Sequence, residues 1–147
     1  MTDLATTRQQ IEERRAKRAK AIEEARETQY TADLVAIEAL EIASDPPITI
    51  DVSHTVRQYV PGCPVIVGMR PPTEAEYKRF FSQINRANGN GDAKVAAQVQ
   101  LAQACWVYPA DHEQRKAMLS ANAGMLASIG NAVNKQAELQ EAAEGKD

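Results

Sequence analysis

Few residues in this chain are equipped for chemistry, and they are scattered. The histidines are His54 and His112, and the cysteines are Cys63 and Cys105. Neither histidine has a Cys, His or carboxylate at a spacing that forms a metal motif. A Cys–His nucleophile pair would have to be assembled by folding, and Cys105 falls in an apolar helical stretch where a structural thiol is expected. Cys63 sits in a turn between Gly62 and Pro64, a setting for either an exposed, reactive thiol or an incidental one. Glu74 and Glu76 lie close enough to be weighed as an acid/base pair. Each also has a structural use at a helix start, Glu76 in a capping box and Glu74 against the helix dipole. The chain has no G-x-S-x-G, H-E-x-x-H or GxGxxG motif. The glycines of Asn88-Gly89-Asn90-Gly91-Asp92 lack a following Lys-Ser/Thr pair, so they form a flexible loop and no phosphate cradle. These residues predict no enzyme, no metal and no cofactor.

The elements that would position them are mostly helical. In LVAIEALEI, residues 34–42, Leu34, Ile37 and Leu40 recur every three residues, with Val35 and Ile42 on a neighbouring strip. Ser44-Asp45-Pro46-Pro47 ends that helix, because proline cannot extend it. ITIDV then alternates in a strand pattern, Tyr59-Val60-Pro61-Gly62 reads as a turn, and VIVGM as a second strand. An antiparallel hairpin, about 48–60 against 64–70 within 48–70, follows, and two strands alone must lean on helices. After Pro71 and Pro72, Thr73 is an N-cap with Glu76 three residues later. Tyr77, Phe80, Phe81 and Ile84 fall on one helical stripe over 73–86, and their burial contributes on the order of 6–12 kcal/mol before entropy. Further helices are predicted at 93–108 and, after Asp111 with Gln114 as a second cap pair, at 111–134. The fold class is therefore mainly α (α+β): a helical domain over 31–134 with a short hairpin. A charged, solvent-facing helical arm over 1–30 precedes it, and a charged tail follows over 135–147.

Composition bounds what such a domain can do. Of its 147 residues 44% are hydrophobic and only 5% aromatic, so alanine supplies much of a thin core. A net charge of −3 argues against bulk binding to nucleic acid or anionic membrane. No apolar run is long enough to span a bilayer, and MTDLATTRQQ has no apolar signal core, which predicts a cytoplasmic protein with reduced thiols. Charge is laid out unevenly. Residues 8–20 carry six Lys/Arg against Glu12 and Glu13, a balance of +4, while residues 21–41 carry six acids against Arg26, a balance of −5. Arg14, Arg15, Lys17, Arg18 and Lys20 are positioned for phosphate contacts, yet no aromatic residue is interleaved with them and the acids that follow repel phosphate. A solvated helix face is the simpler reading.

The stretch VIVGMRPPTEAEYKRF, residues 65–80, followed by ACWVYP, residues 104–109, resembles the tail assembly chaperones of long-tailed bacteriophages and prophages. The similarity covers about Pro64 to Val133. ANAGM, residues 121–125, departs from the pattern, standing where a Pro-Gly-Leu type turn is expected. The resemblance implies a non-catalytic role in virion assembly. Members of that family coat the helical tape-measure protein, keep it soluble, help recruit tail tube subunits, and leave before the tail is complete. It implies action in the cytoplasm of the bacterial host and absence from the mature virion; separately from the resemblance, a homo-oligomer is left open as a partner arrangement.

Methionines on helical faces suit adaptable surfaces that grip varied apolar partners, and they also serve as core filler. The candidate partner-binding residues are Tyr77, Phe80, Phe81, Trp106, Met118 and Met125, with a core role the stronger expectation for Phe80 and Trp106. Two alternatives from other classes remain open: a structural tail component, and a nucleic-acid-associated regulator acting through the basic N-terminal helix.

Overall fold

A computed structural model describes residues 3–144. Its elements are α1 (Leu4–Ala43), β1 (Asp51–Thr55), β2 (Ile66–Met69), α2 (Glu74–Ala87), α3 (Gly91–Cys105), β3 (Trp106–Tyr108), α4 (His112–Ala121) and α5 (Met125–Glu144). The mainly helical α+β class holds. The strands form one antiparallel sheet in the order β1-β2-β3.

The sheet differs from the expected hairpin in one strand. Trp106-Val107-Tyr108 leaves the predicted 93–108 helix and pairs with β2, setting Met69 against Trp106 and Gly68 against Tyr108. Two local causes act together. Pro109 disfavours the α conformation at Tyr108, and an aromatic–Val–aromatic triplet fits a half-buried pleat better than a last helical turn. β1 and β2 are also shorter than the expected strands, and the chain between them turns through a Cys63 N–H to Val60 carbonyl bond of 2.9 Å with Gly62 at φ +86°. That matches the predicted Pro–Gly turn.

Two helical boundaries also differ. The predicted 111–134 helix is two, broken at Asn122 and Gly124, the latter at φ +77° where a side chain would be strained. Asn122 is buried and clamps the break. Its carboxamide donates to the Gln58 and Met118 carbonyls and accepts from the Gln58 N–H at 2.8 Å. The segment from 135 continues α5 as helix through Glu144, and residues 145–147 of the predicted tail lie outside the described residues.

At the other end, the predicted arm and the 34–42 helix are one continuous rod, about 60 Å long at 1.5 Å per residue; residues 1–2 lie outside the described part. Of its large apolar residues Ile37 is buried, whereas Leu34, Val35, Leu40 and Ile42 are exposed. The reason is that the sheet meets α1 along one narrow strip. Asp33, fully buried one turn before Ile37, accepts from the Val65 N–H at 2.7 Å, the Ile66 N–H at 3.3 Å, the Tyr108 hydroxyl at 2.6 Å and the Gln29 side chain at 2.8 Å. One carboxylate thus ties α1 to two strands, and each of its bonds is charge-assisted.

β2 is buried along its whole length and carries the centre of the core with Val65, Met118 and Ile129. On the helical side, α3 and α5 pack so closely at Gly130 that a Cβ there would sit 2.0 Å from the Gln98 carbonyl oxygen. α2 packs on α3 in turn.

Candidate partner-binding face

The stretch from Arg70 to Phe81 is built from the turn upward. Thr73 accepts from the Glu76 N–H at 3.2 Å and Glu76 accepts from the Thr73 N–H at 2.8 Å, so the predicted capping box closes. Arg70 adds what the spacing did not reveal. Its guanidinium donates to both Glu76 oxygens, at 2.7 and 2.8 Å, and to the Ala104 carbonyl at 2.6 Å. The start of α2 is thereby fastened to the end of α3. The Arg70 bonds, more than the cap itself, hold the Glu76 carboxyl down at about 2.

This junction sets the rotation of α2. Phe80 points inward and is buried, whereas Phe81 is 46% exposed and Tyr77 half-buried. The Tyr77 and Phe81 rings pack at a centroid distance of 5.4 Å and a 59° tilt. The predicted four-residue stripe therefore buries less than its apolar content, because α2 packs on α3 through Phe80 and leaves Phe81 open. Across from the ring pair runs α5, and the Tyr77 hydroxyl donates to Glu141 at 3.4 Å. Burial first, then the carboxylates of Glu141 and Glu138, push the Tyr77 phenol up. Between the two helices lies a groove of about 560 Å³ lined by Pro72, Tyr77, Phe81, Ala137 and Gln140 among others. It adjoins, at Pro72, Ala137 and Gln140, a second cleft of about 580 Å³ that runs past Met69 and Val52.

The other candidate contacts are not brought here. Phe80, Trp106, Met118 and Met125 all lie in the core. Trp106 donates its indole N–H to the Tyr108 carbonyl at 2.6 Å and lies under the Arg115 guanidinium, 5.0 Å from the ring centroid. Arg115 in turn is spent on the Pro109 and Trp106 carbonyls. Trp106 also borders a separate cavity of about 410 Å³ with His112 and Leu119. The Met118 and Met125 side chains fill the core, the reading favoured for those methionines from sequence.

The chemically equipped residues stay apart. Among the described residues no group of three or more His, Cys, Asp or Glu is placed to hold a metal. Both thiols are buried, Cys63 included, which leaves the incidental reading of its turn. Burial raises the Cys63 thiol and pushes Cys105 up to about 11, so each is a poor nucleophile near neutrality. Burial lowers His54, with Asp51 opposing. Glu74 pairs with Lys78 at 2.9 Å on the open surface, where such a pair contributes little. Asp111 caps α4 as expected, but Gln114 reaches the Gly62 carbonyl at 3.2 Å and does not return to the cap.

Asp33 was not singled out by sequence. For Asp33 a signal existed: it stands four residues before Ile37, on the one strip of α1 that faces the sheet. Asn122 interrupts the apolar stripe of residues 118–133, which marks the break, but its clamp on Gln58 has no local signal. No helix is long and apolar enough to cross a membrane among the described residues. Comparison with family models, with curated proteins and with solved structures finds no match to this chain.

Proposed function

We propose that this protein is a non-catalytic tail assembly chaperone that holds an apolar helical segment of a tape-measure protein in the groove between α2 and α5. The observation that carries the reading is Phe81. A large aromatic ring, packed on Tyr77 and left 46% exposed beside a groove, is a ready anchor for an incoming side chain. An amphipathic helix laid into such a groove recognises it through apolar residues at i, i+3 and i+7. The rigid Arg70–Glu76 junction supports the reading, because a preformed groove loses less entropy when it is filled. The sequence similarity of residues 65–80 and 104–109 to that chaperone family supplies the partner. On this reading the chain works in the cytoplasm of a bacterial host, helps recruit tail tube subunits, and is missing from the finished virion.

The test is co-expression with a tape-measure protein of a long-tailed phage or prophage, followed by pull-down and size-exclusion chromatography. Co-elution, with the partner soluble only in company, is the expected result. Phe81→Ala is expected to lose co-elution while keeping the thermal melt of the parent chain. Retained binding by a folded Phe81→Ala variant would move the site elsewhere. Detection of the chain in purified particles would make it a structural tail component.

A further inference from the structure

The outward face of α1 carries a pattern that the groove does not use. Leu4, Ile11, Arg18, Ala25, Ala32 and Ala39 recur every seven residues, and three residues after each stand Thr7, Arg14, Ala21, Thr28, Val35 and Ile42. That alternation of three and four is the spacing of a coiled-coil seam, and it runs the length of the rod. In the half of α1 that docks on the sheet, the seam lies on the side opposite Asp33 and Ile37, and Val35 and Ile42 are 65% and 71% exposed. Towards the N-terminus Leu4 is 67% exposed. Among the described residues the hydrogen bonds from α1 to the rest of the domain begin only at Arg26, whose guanidinium reaches the Val56 and Arg57 carbonyls.

We propose that this face pairs with the same face of a second copy, as an antiparallel two-stranded coiled coil. The charge layout chooses both the occupant and the direction. The exposed acids of residues 21–41 match the basic excess of residues 8–20, so a reversed copy sets each basic half against an acidic one. A parallel pair would stack Arg14 on Arg14 and Arg18 on Arg18. Reversal removes that clash. With Ala21 of one copy opposite Ala25 of the other, Leu4 meets Ile42 and Ile11 meets Val35 at both ends of the rod. Arg14 and Arg18 then face the small residues Ala32 and Thr28, leaving room for the guanidinium groups to reach Glu24 and Glu27 of the second copy. The small central residues permit close approach of the two helices. The heptad period, shorter than the natural helical turn, calls for a gentle left-handed supercoil in the pair.

The full-length chain tests this by sedimentation at low and high salt, together with cysteine cross-linking. Arg18→Cys and Thr28→Cys are made as separate variants, the native thiols being buried. Expected are a dimer weakened by salt, and a disulfide that forms when the two variants are mixed and not in either alone. The double variant Val35→Gln/Ile42→Gln is expected to raise the dimer dissociation constant by about tenfold or more, with an unchanged melt for the dilute monomer because both side chains are already exposed. A monomer at all accessible concentrations overturns the proposal. So does cross-linking of each single variant with itself, which marks a parallel pair. A chain that stays monomeric but binds a foreign helix through Val35 and Ile42 also overturns the assignment to a second copy.

Discussion

The two faces of α1 differ in how their groups are satisfied. Inward, Asp33 spends its carboxylate on two backbone N–H groups, a phenol and a carboxamide, and Ile37 is sealed beside it. Outward, Val35 and Ile42 are left largely open to solvent. The same contrast recurs on α2, where Phe80 is buried and its neighbour Phe81 is open. Faces that are saturated hold this fold together, and faces left apolar and open are where it can meet other chains. Buried polar groups are costly to orphan, whereas an exposed apolar side chain already stands in water and loses little when truncated.

That contrast can be broken from the inside first. Asp33→Ala is expected to cost the most, about 3–5 kcal/mol, because it strands buried donors of β2 and β3 together; urea denaturation measures it. An effect below about 1 kcal/mol would mean that water replaces the carboxylate at the α1–sheet contact. Phe80→Ala is expected to cost about 3–4 kcal/mol as a buried aromatic truncation, and a stable, folded variant that lost partner binding would move Phe80 to the contact surface. Gly130→Ala follows at about 2–3 kcal/mol, since the new methyl group must push α5 off the Gln98 carbonyl. A neutral result in thermal melts would show that α3 and α5 separate easily.

Glu76→Gln sharpens the contrast at its rim. Glu76 is held at about 2 in the folded chain, below the roughly 4.3 of an unstructured glutamate. Its contribution is therefore fully present above the unfolded value and is lost as pH falls toward the folded one. Loss of the charged bonds to Arg70 is expected to cost about 1–3 kcal/mol at neutral pH. The stability difference between Glu76→Gln and the parent should shrink between about pH 5 and pH 2, read by thermal melts across that range. Smallest of all is Phe81→Ala, expected within about 0.5 kcal/mol of the parent in stability while weakening the partner complex. An equal loss of stability would return Phe81 to the core.

Much of this was legible in order along the chain. The Thr73/Glu76 capping box, the Asp111 cap, the proline stops and the Val60–Cys63 turn are local signals, set by residues within a few positions of one another, and each stands where the residue types place it. The third strand was missed because Trp106-Val107-Tyr108 continues a helical pattern, and only a partner strand at Met69 and Gly68 rewards the extended form. The aromatic stripe of α2 was read correctly as a stripe. How much of it is covered depends on which of its residues α2 turns toward α3.

The sequence by itself determined the mainly helical class, the Thr73 and Asp111 caps, the proline stops, and the charge asymmetry of the long N-terminal rod. These follow from backbone sterics and short-range hydrogen bonding. Only the tertiary structure decided that Asp33 joins α1 to the sheet, that Gly130 lets two helices touch, and that Phe80 and Phe81 part company. Those outcomes depend on which surfaces meet across long separations in the chain, and burial is a property of the meeting surfaces rather than of any one residue.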